Sequence, residues 1–244
     1  MKIVEHNGIK LVFNPGNHSY TDSEGRNYTS VTSLIEKAFP IFDSEAAAKR
    51  KSVETGIPYQ KYLEEWKRIG ETAAQIGKRM HEIAENVILK RENLIFATRE
   101  EKFMLQEIKN TVSSLEKRWI LEPEKIIFSR KYRIAGTIDI LGGQEKDFAI
   151  FDWKRIKKLE RNSKNHGTIP PTSHLGDCNY VHYSLQTALY EQILREEHYI
   201  PQNTIVKRFL LVRNAYSGAF NPVCCGDFIT EAMKLLEWNQ RNFW

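Results

Sequence analysis

Alternating apolar and polar positions over residues 9–13 and 27–32, with the turn material Asp22-Ser23-Glu24-Gly25 between them, predict two short strands at the start of the chain. The pattern then shifts to helical spacing. The run DSEAAAKRKSVE over residues 43–54 reads as a helix with Asp43 or Ser44 as its cap, stopped by Gly56 and Pro58. Helical periodicity resumes over residues 59–90, with an interruption expected near Gly70 or Gly77. Phe103, Ile108, Val112, Leu115 and Trp119 mark another helix over residues 99–119. Three strand-like runs follow at 125–130, 134–141 and 148–154, with Gly142-Gly143 expected to make the tight connection between the last two. Polar residues 155–178 read as a mobile loop, 181–197 as a helix, 204–213 as a strand and 227–241 as a terminal helix. This order predicts an α/β fold with a mixed sheet containing an antiparallel pair.

Composition narrows the class. Of 244 residues, 41% are hydrophobic and 27% charged, enough apolar material for a core and too much for a disordered chain. No apolar run reaches the roughly 20 residues needed to span a bilayer, so no membrane role is expected. The net charge is +5, and the segment KRIKKLERNSK from Lys154 to Lys164 carries that same excess by itself. Such a local concentration suits one anionic partner. Three cysteines are too few for a four-thiolate cluster or a disulfide framework. The N-terminus lacks a long apolar stretch, and a reducing, cytoplasmic setting is expected, in a bacterial or phage-infected cell.

The chemistry concentrates on two acidic strands, GTIDIL and AIFDWKR. Side chains alternate along a strand, so Asp152 and Lys154 share a face while Trp153 points to the other. Antiparallel pairing would bring Asp139 beside Asp152. Paired carboxylates hold a hard divalent cation, Mg²⁺ or Mn²⁺, and a neighbouring ammonium can stabilise charge on a phosphoryl group. Upstream, His81 and Glu85 stand one helical turn apart and could contribute to the same centre. Downstream, Gln186 and Tyr190 share a helix face, from which they would reach a substrate backbone or brace Lys154. Arg155, Lys157 and Lys158 leave the acidic strand directly and could grip phosphates, while Tyr180 and Tyr183 could stack on bases. His174, Cys178 and His182 recur every four residues, but three ligands in a loop match no closed zinc site. Cys224 and Cys225 read as small side chains on a late strand.

Taken in order, Gly77, His81 and Glu85, then Gly136 and Asp139, then Asp152 and Lys154, then Gln186 and Tyr190 resemble the motifs of the RecB-type branch of the PD-(D/E)XK nuclease superfamily. The element order is similar to that fold's αβββαβ core, here preceded by an N-terminal β-hairpin and helical extension. The segment YTSVTSLIE and Trp66 are similar to features of phage-encoded members and of the mitochondrial genome maintenance exonuclease. The resemblance spans residues 18–213 and implies one nuclease domain over 1–244, with an extension at 1–76, a catalytic core at 77–213 and a strand and helix at 214–244. It implies metal ligation by His81, Asp139, Asp152 and the Trp153 backbone carbonyl, a catalytic Lys154, and Glu85 as a carboxylate near the site. Gln186, Tyr190, Ser30 and Thr32 would lie along the nucleic acid. The implied activity is Mg²⁺- or Mn²⁺-dependent hydrolysis of DNA, by an exonuclease acting on ends or single strands in replication, recombination or repair. The four cysteines of iron–sulfur relatives are missing, and Trp153 replaces their usual Tyr. A non-catalytic DNA-binding or assembly module, an endonuclease and an RNA-cleaving relative stand as alternatives.

Overall fold

The computed structural model describes residues 1–91, 95, 96, 98–214 and 218–242. Strands β1 (Lys2–His6), β2 (Ile9–Asn14), β3 (Ser19–Asp22) and β4 (Asn27–Ser30) form an antiparallel meander. Helices α1 (Val31–Ala38), α2 (Ser44–Thr55), α3 (Tyr59–Ile88) and α4 (Arg99–Leu115) follow. Then come β5 (Ile120–Ser129), β6 (Ile134–Gln144), β7 (Asp147–Ile156), α5 (Asn179–Glu196), β8 (Ile205–Asn214), β9 (Asn221–Cys224) and α6 (Ile229–Asn242). The architecture is a mixed α/β fold, a multi-stranded sheet flanked by helices.

Sheet register explains why one spot in the middle stays open. β5 lies antiparallel along one edge of β6, from Ser129 opposite Ile134 to Ile120 opposite Gly143. The other edge is shared. Parallel β4 takes Ile134 and Ala135, and antiparallel β7 takes positions from Ile140 onward. Residues 136–139 therefore have no ladder partner on that edge, and Asp139 ends the gap. Gly136 lies within it because a Cβ there would fall 2.5 Å from the Tyr190 ring of α5.

Each sheet face is covered by apolar helices. Leu185, Leu189 and Ile193 of α5, Leu34 of α1 and Leu235 of α6 pack on one side over Ile127, Ile138 and Ile150. Met80 and Ile83 of α3 and Met104 and Ile108 of α4 pack on the other, over Ile140, Phe151, Trp153 and Leu211. The buried positions of α3 begin only at Met80, so its first turns rest on α2 rather than on the sheet.

Several expectations are corrected. The N-terminal region has four strands rather than two, the largely exposed β1 and the short β3 giving only weak alternation. α3 runs unbroken through Gly70 and Gly77, where a glycine costs helix stability without reversing the chain. Gly142 and Gly143 lie inside β6, pressed by the side chains of Trp119 and Phe148; the turn is formed by residues 145 and 146. Residues 157–178 are anchored rather than mobile. Asn179 accepts from the Glu160 N–H at 2.9 Å and donates to the Lys158 carbonyl, while buried Thr172 donates to the Ala38 carbonyl at 2.9 Å.

Candidate metal centre

Four separate elements deliver the site. His81 comes from the C-terminal half of α3, on the turn whose neighbours Met80 and Ile83 are anchored in the core. Asp139 comes from the unpaired stretch of β6, and Asp152 and Lys154 from the end of β7. The fourth, Glu124 of β5, was not anticipated. It has a left-handed backbone (φ 49°) and falls between the ladder pairs Pro123–Ile140 and Lys125–Ile138, opposite Asp139. Its carboxylate is 3.6 Å from His81 Nδ1, and that same nitrogen is 3.5 Å from Asp139 Oδ1. One ligand atom from each of His81, Glu124 and Asp139 falls within 4.8 Å of the others, a donor set of one imidazole and two carboxylates suited to a divalent cation.

Asp139 also organises the backbone. Its Oδ2 accepts the Trp153 N–H at 2.8 Å, substituting for the ladder bond that β6 would otherwise supply. A residue's N–H and C=O point to the same side of a strand, so the Trp153 carbonyl faces this gap too. The Trp153 ring goes the other way, into the core against Phe220.

Asp152 is 1% exposed. Its Oδ2 lies 2.7 Å from Lys154 Nζ, and its Oδ1 has no hydrogen-bond donor among the described residues. A buried carboxylate oxygen without a donor is costly unless something positive comes to it. Lys154 Nζ is further steered by Gln186 Oε1 at 3.4 Å and by the Tyr183 ring, whose centroid is 4.7 Å away. Gln186 in turn donates to the Tyr190 hydroxyl at 3.0 Å.

Electrostatics follow from burial. Desolvation pushes the carboxyls of Asp139 and Asp152 above their usual range, although His81 and Lys154 oppose it. Burial disfavours the His81 imidazolium, but the Asp139 and Glu124 carboxylates outweigh that and hold its pKa at about 9. Lys154 stays above its ordinary value, since Asp152 and Asp139 overcome the desolvation that would lower it. Crowded acidic groups short of positive charge are what a divalent cation would relieve.

The other anticipated residues divide. Glu85 is drawn away to Lys2 at 3.7 Å and Arg91 at 3.9 Å, outside the donor set. Tyr190 is 3% exposed and Gln186 is buried, so they brace Lys154 from beneath rather than line a nucleic-acid surface. Ser30 is a buried helix cap: its hydroxyl accepts the Ser33 N–H at 3.0 Å and donates to Ser33 Oγ at 2.8 Å, with exposed Thr32 beside it. Arg155, Lys157 and Lys158 line a cleft of about 660 Å³ whose opposite wall is Ile69, Thr72, Ala73 and Ile76 of α3. Tyr180 donates its hydroxyl to the Cys224 carbonyl and carries the Arg161 guanidinium over its ring. His174 and His182 pair separately with Glu231 and Asp177.

Glu124 escaped sequence reasoning because its contribution depends on register. Position 124 meets position 139 only once β5 and β6 are paired. The available signal was an acidic residue following Pro123 at the head of an apolar strand.

Comparisons with known proteins yield neither a matching family model nor a matching curated protein. Among solved structures, the chain is similar to a protein of Eubacterium rectale named as a candidate exonuclease, with 12% identity and a TM-score of 0.40 over 88% of this chain and 79% of that one. It is also similar to SSO0001, with 13% identity and a TM-score of 0.30 over 61% of this chain and 62% of that one. No helix among the described residues is long and apolar enough to cross a membrane.

Proposed function

We propose that this chain is a Mg²⁺- or Mn²⁺-dependent deoxyribonuclease of the RecB-like PD-(D/E)XK type, an exonuclease acting on DNA ends or single strands. Its 244 residues form a single nuclease domain. The observation that carries the reading is the buried Asp152 carboxylate, with one oxygen held by Lys154 and the other without a donor, beside the His81–Glu124–Asp139 set. A purely structural ion pair would satisfy both oxygens.

His81, Glu124, Asp139 and Asp152 would hold the cation, with the Trp153 carbonyl facing the same gap. When bound, a divalent cation lowers the pKa of a water and neutralises phosphoryl charge. Lys154 places an ammonium where negative charge grows on the reacting phosphate, and its contacts with Gln186 and Tyr183 set that position. The buried Tyr190 fixes Gln186, so the late helix acts through Lys154. Lys157 and Lys158 offer charge to the phosphates beyond the site.

The test is cleavage of linear and circular DNA, each single- and double-stranded, with Mg²⁺ or Mn²⁺ and with Lys154→Ala as control. Degradation of linear DNA alone, abolished by the substitution, is expected. Cutting of circles would make the protein an endonuclease. Inertness toward every DNA under both metals would refute the deoxyribonuclease reading.

A further inference from the structure

Arg155 and Arg213 are Cα partners across the parallel β7–β8 pair, on the sheet face that carries Trp153 and Leu211. They continue that apolar column to where α4 begins, and both reach the Glu100 carboxylate. Arg155 reaches Glu100 Oε1 at 3.3 Å, and Arg213 Nη1 lies 3.9 Å from the same oxygen. Arg213 is 3% exposed, yet its Nε and Nη1 have no hydrogen-bond partner among the described residues. Glu100, half exposed in the first turn of α4, covers the pair from the solvent side together with Phe103, whose ring centroid lies 6.0 Å from the Arg213 guanidinium.

We propose that Arg155 and Arg213 form a phosphate-binding station for the nucleic-acid backbone, with Glu100 as the placeholder anion that a substrate phosphate displaces. The buried Arg213 Nε and Nη1, without a hydrogen-bond partner among the described residues, leave donors to spare, and planar guanidinium donors match phosphate oxygens. A stable structural pairing would bring the carboxylate within hydrogen-bond distance of Arg213, and it stops short. Arg155 joins the station to the centre: it also lines the cleft against α3, whose Ile76 precedes His81 by about 7.5 Å of helix. A strand in that cleft would meet Arg155, Lys157 and Lys158, the last paired with Glu160 at 2.9 Å, on one side and Ile69, Ala73 and Ile76 on the other.

This inference rests on the nuclease reading and is tested by binding without turnover. Fluorescence anisotropy with a labelled single-stranded oligodeoxynucleotide in EDTA, over a KCl series, would compare Glu100→Gln, Arg213→Gln and Arg213→Lys with the unaltered protein. Glu100→Gln is expected to tighten binding about two- to fivefold, the worth of an exposed ion pair that no longer competes. Arg213→Gln should make the slope of log affinity against log salt shallower by about 0.7, one phosphate contact on a single strand, and Arg213→Lys should restore the slope. If Arg213→Gln fails to fold, Arg155→Gln carries the slope measurement. Unchanged affinity and a lowered melting temperature in Glu100→Gln, with an unchanged slope in the arginine variants, would make the trio a structural ion pair and overturn the station. Metal-dependent cleavage by the unaltered protein alongside that result would leave the nuclease reading standing. No oligonucleotide binding by the unaltered protein would overturn the station, while the nuclease reading stands or falls separately on the metal-dependent cleavage assay.

Discussion

Two buried aspartates, one in the N-terminal meander and one in β7, have opposite surroundings. Asp22, at the β3–β4 turn, accepts the backbone N–H groups of Glu24 and Arg26 at 2.9 and 3.0 Å, the Arg26 Nε at 2.8 Å and the Tyr28 hydroxyl at 3.1 Å. Burial alone would raise its pKa, but these donors together hold it below the ordinary carboxylate value. Asp152 is buried as deeply, has one close cation and one oxygen with no donor, and is pushed up instead. The first carboxylate is consumed by the fold. The second keeps capacity for something that comes from outside, which is what distinguishes a binding centre from a structural anchor.

Chemistry gives the sharpest way to break this contrast. Asp152→Asn and Lys154→Ala should each lower cleavage by about a thousandfold while leaving the melting temperature near that of the unaltered protein. Asp22→Asn should do the reverse, with full specific activity and a stability loss of about 1–3 kcal/mol in denaturant unfolding. Loss of activity in well-folded Asp22→Asn would remove the distinction.

Metal affinity comes next. Glu124→Gln should weaken Mn²⁺ binding about 10- to 100-fold by removing one of the clustered carboxylates. Glu85→Gln, whose partners Lys2 and Arg91 are exposed, should leave binding unchanged and shift stability by less than about 0.5 kcal/mol. A larger effect at Glu85 than at Glu124 would restore the assignment that the sequence suggested.

Acid and alkaline behaviour should separate the two regions as well. Asp22 has a depressed folded pKa, so its stabilisation is present above the unfolded carboxylate value of about 3.9 and fades as pH falls through the lower folded value. The stability gap between the unaltered protein and Asp22→Asn should therefore narrow below about pH 4. His81 has the opposite sign. In metal-free protein its charge contributes fully below the ordinary value of 6.5, and that contribution is lost as pH rises through about 9. Because a cation competes with that proton, the thermal stabilisation given by added Mn²⁺ should grow from pH 6 to pH 9. A stabilisation independent of pH would exclude His81 from the centre.

Much of this site was legible because strand alternation and helical spacing are local. Asp152 and Lys154 share a face whatever surrounds them, and the hairpin that sets Asp139 beside them needs only a short connection. Gln186 and Tyr190 do meet across one helical turn, although burial makes them supports for Lys154. Other features depend on register and tertiary competition. Glu124 enters through strand pairing and a left-handed backbone. Glu85 sits one turn from His81 but is claimed by Lys2, a residue 83 positions earlier in the chain. Ser30 carries a hydroxyl that the start of α1 requires. The anchored stretch after β7 looks mobile in sequence because polar residues such as Asn179 and Thr172 hold it through backbone groups.

His81, Glu124 and Asp139, with Asp152 beside them, make up the proposed divalent-metal centre. That assignment is tested most directly by titrating the protein with Mn²⁺ and following free ion by electron paramagnetic resonance, beside Asp139→Asn. Saturable binding in the unaltered protein that disappears in Asp139→Asn is the predicted result. Equal binding by both proteins, or none by either, would contradict it.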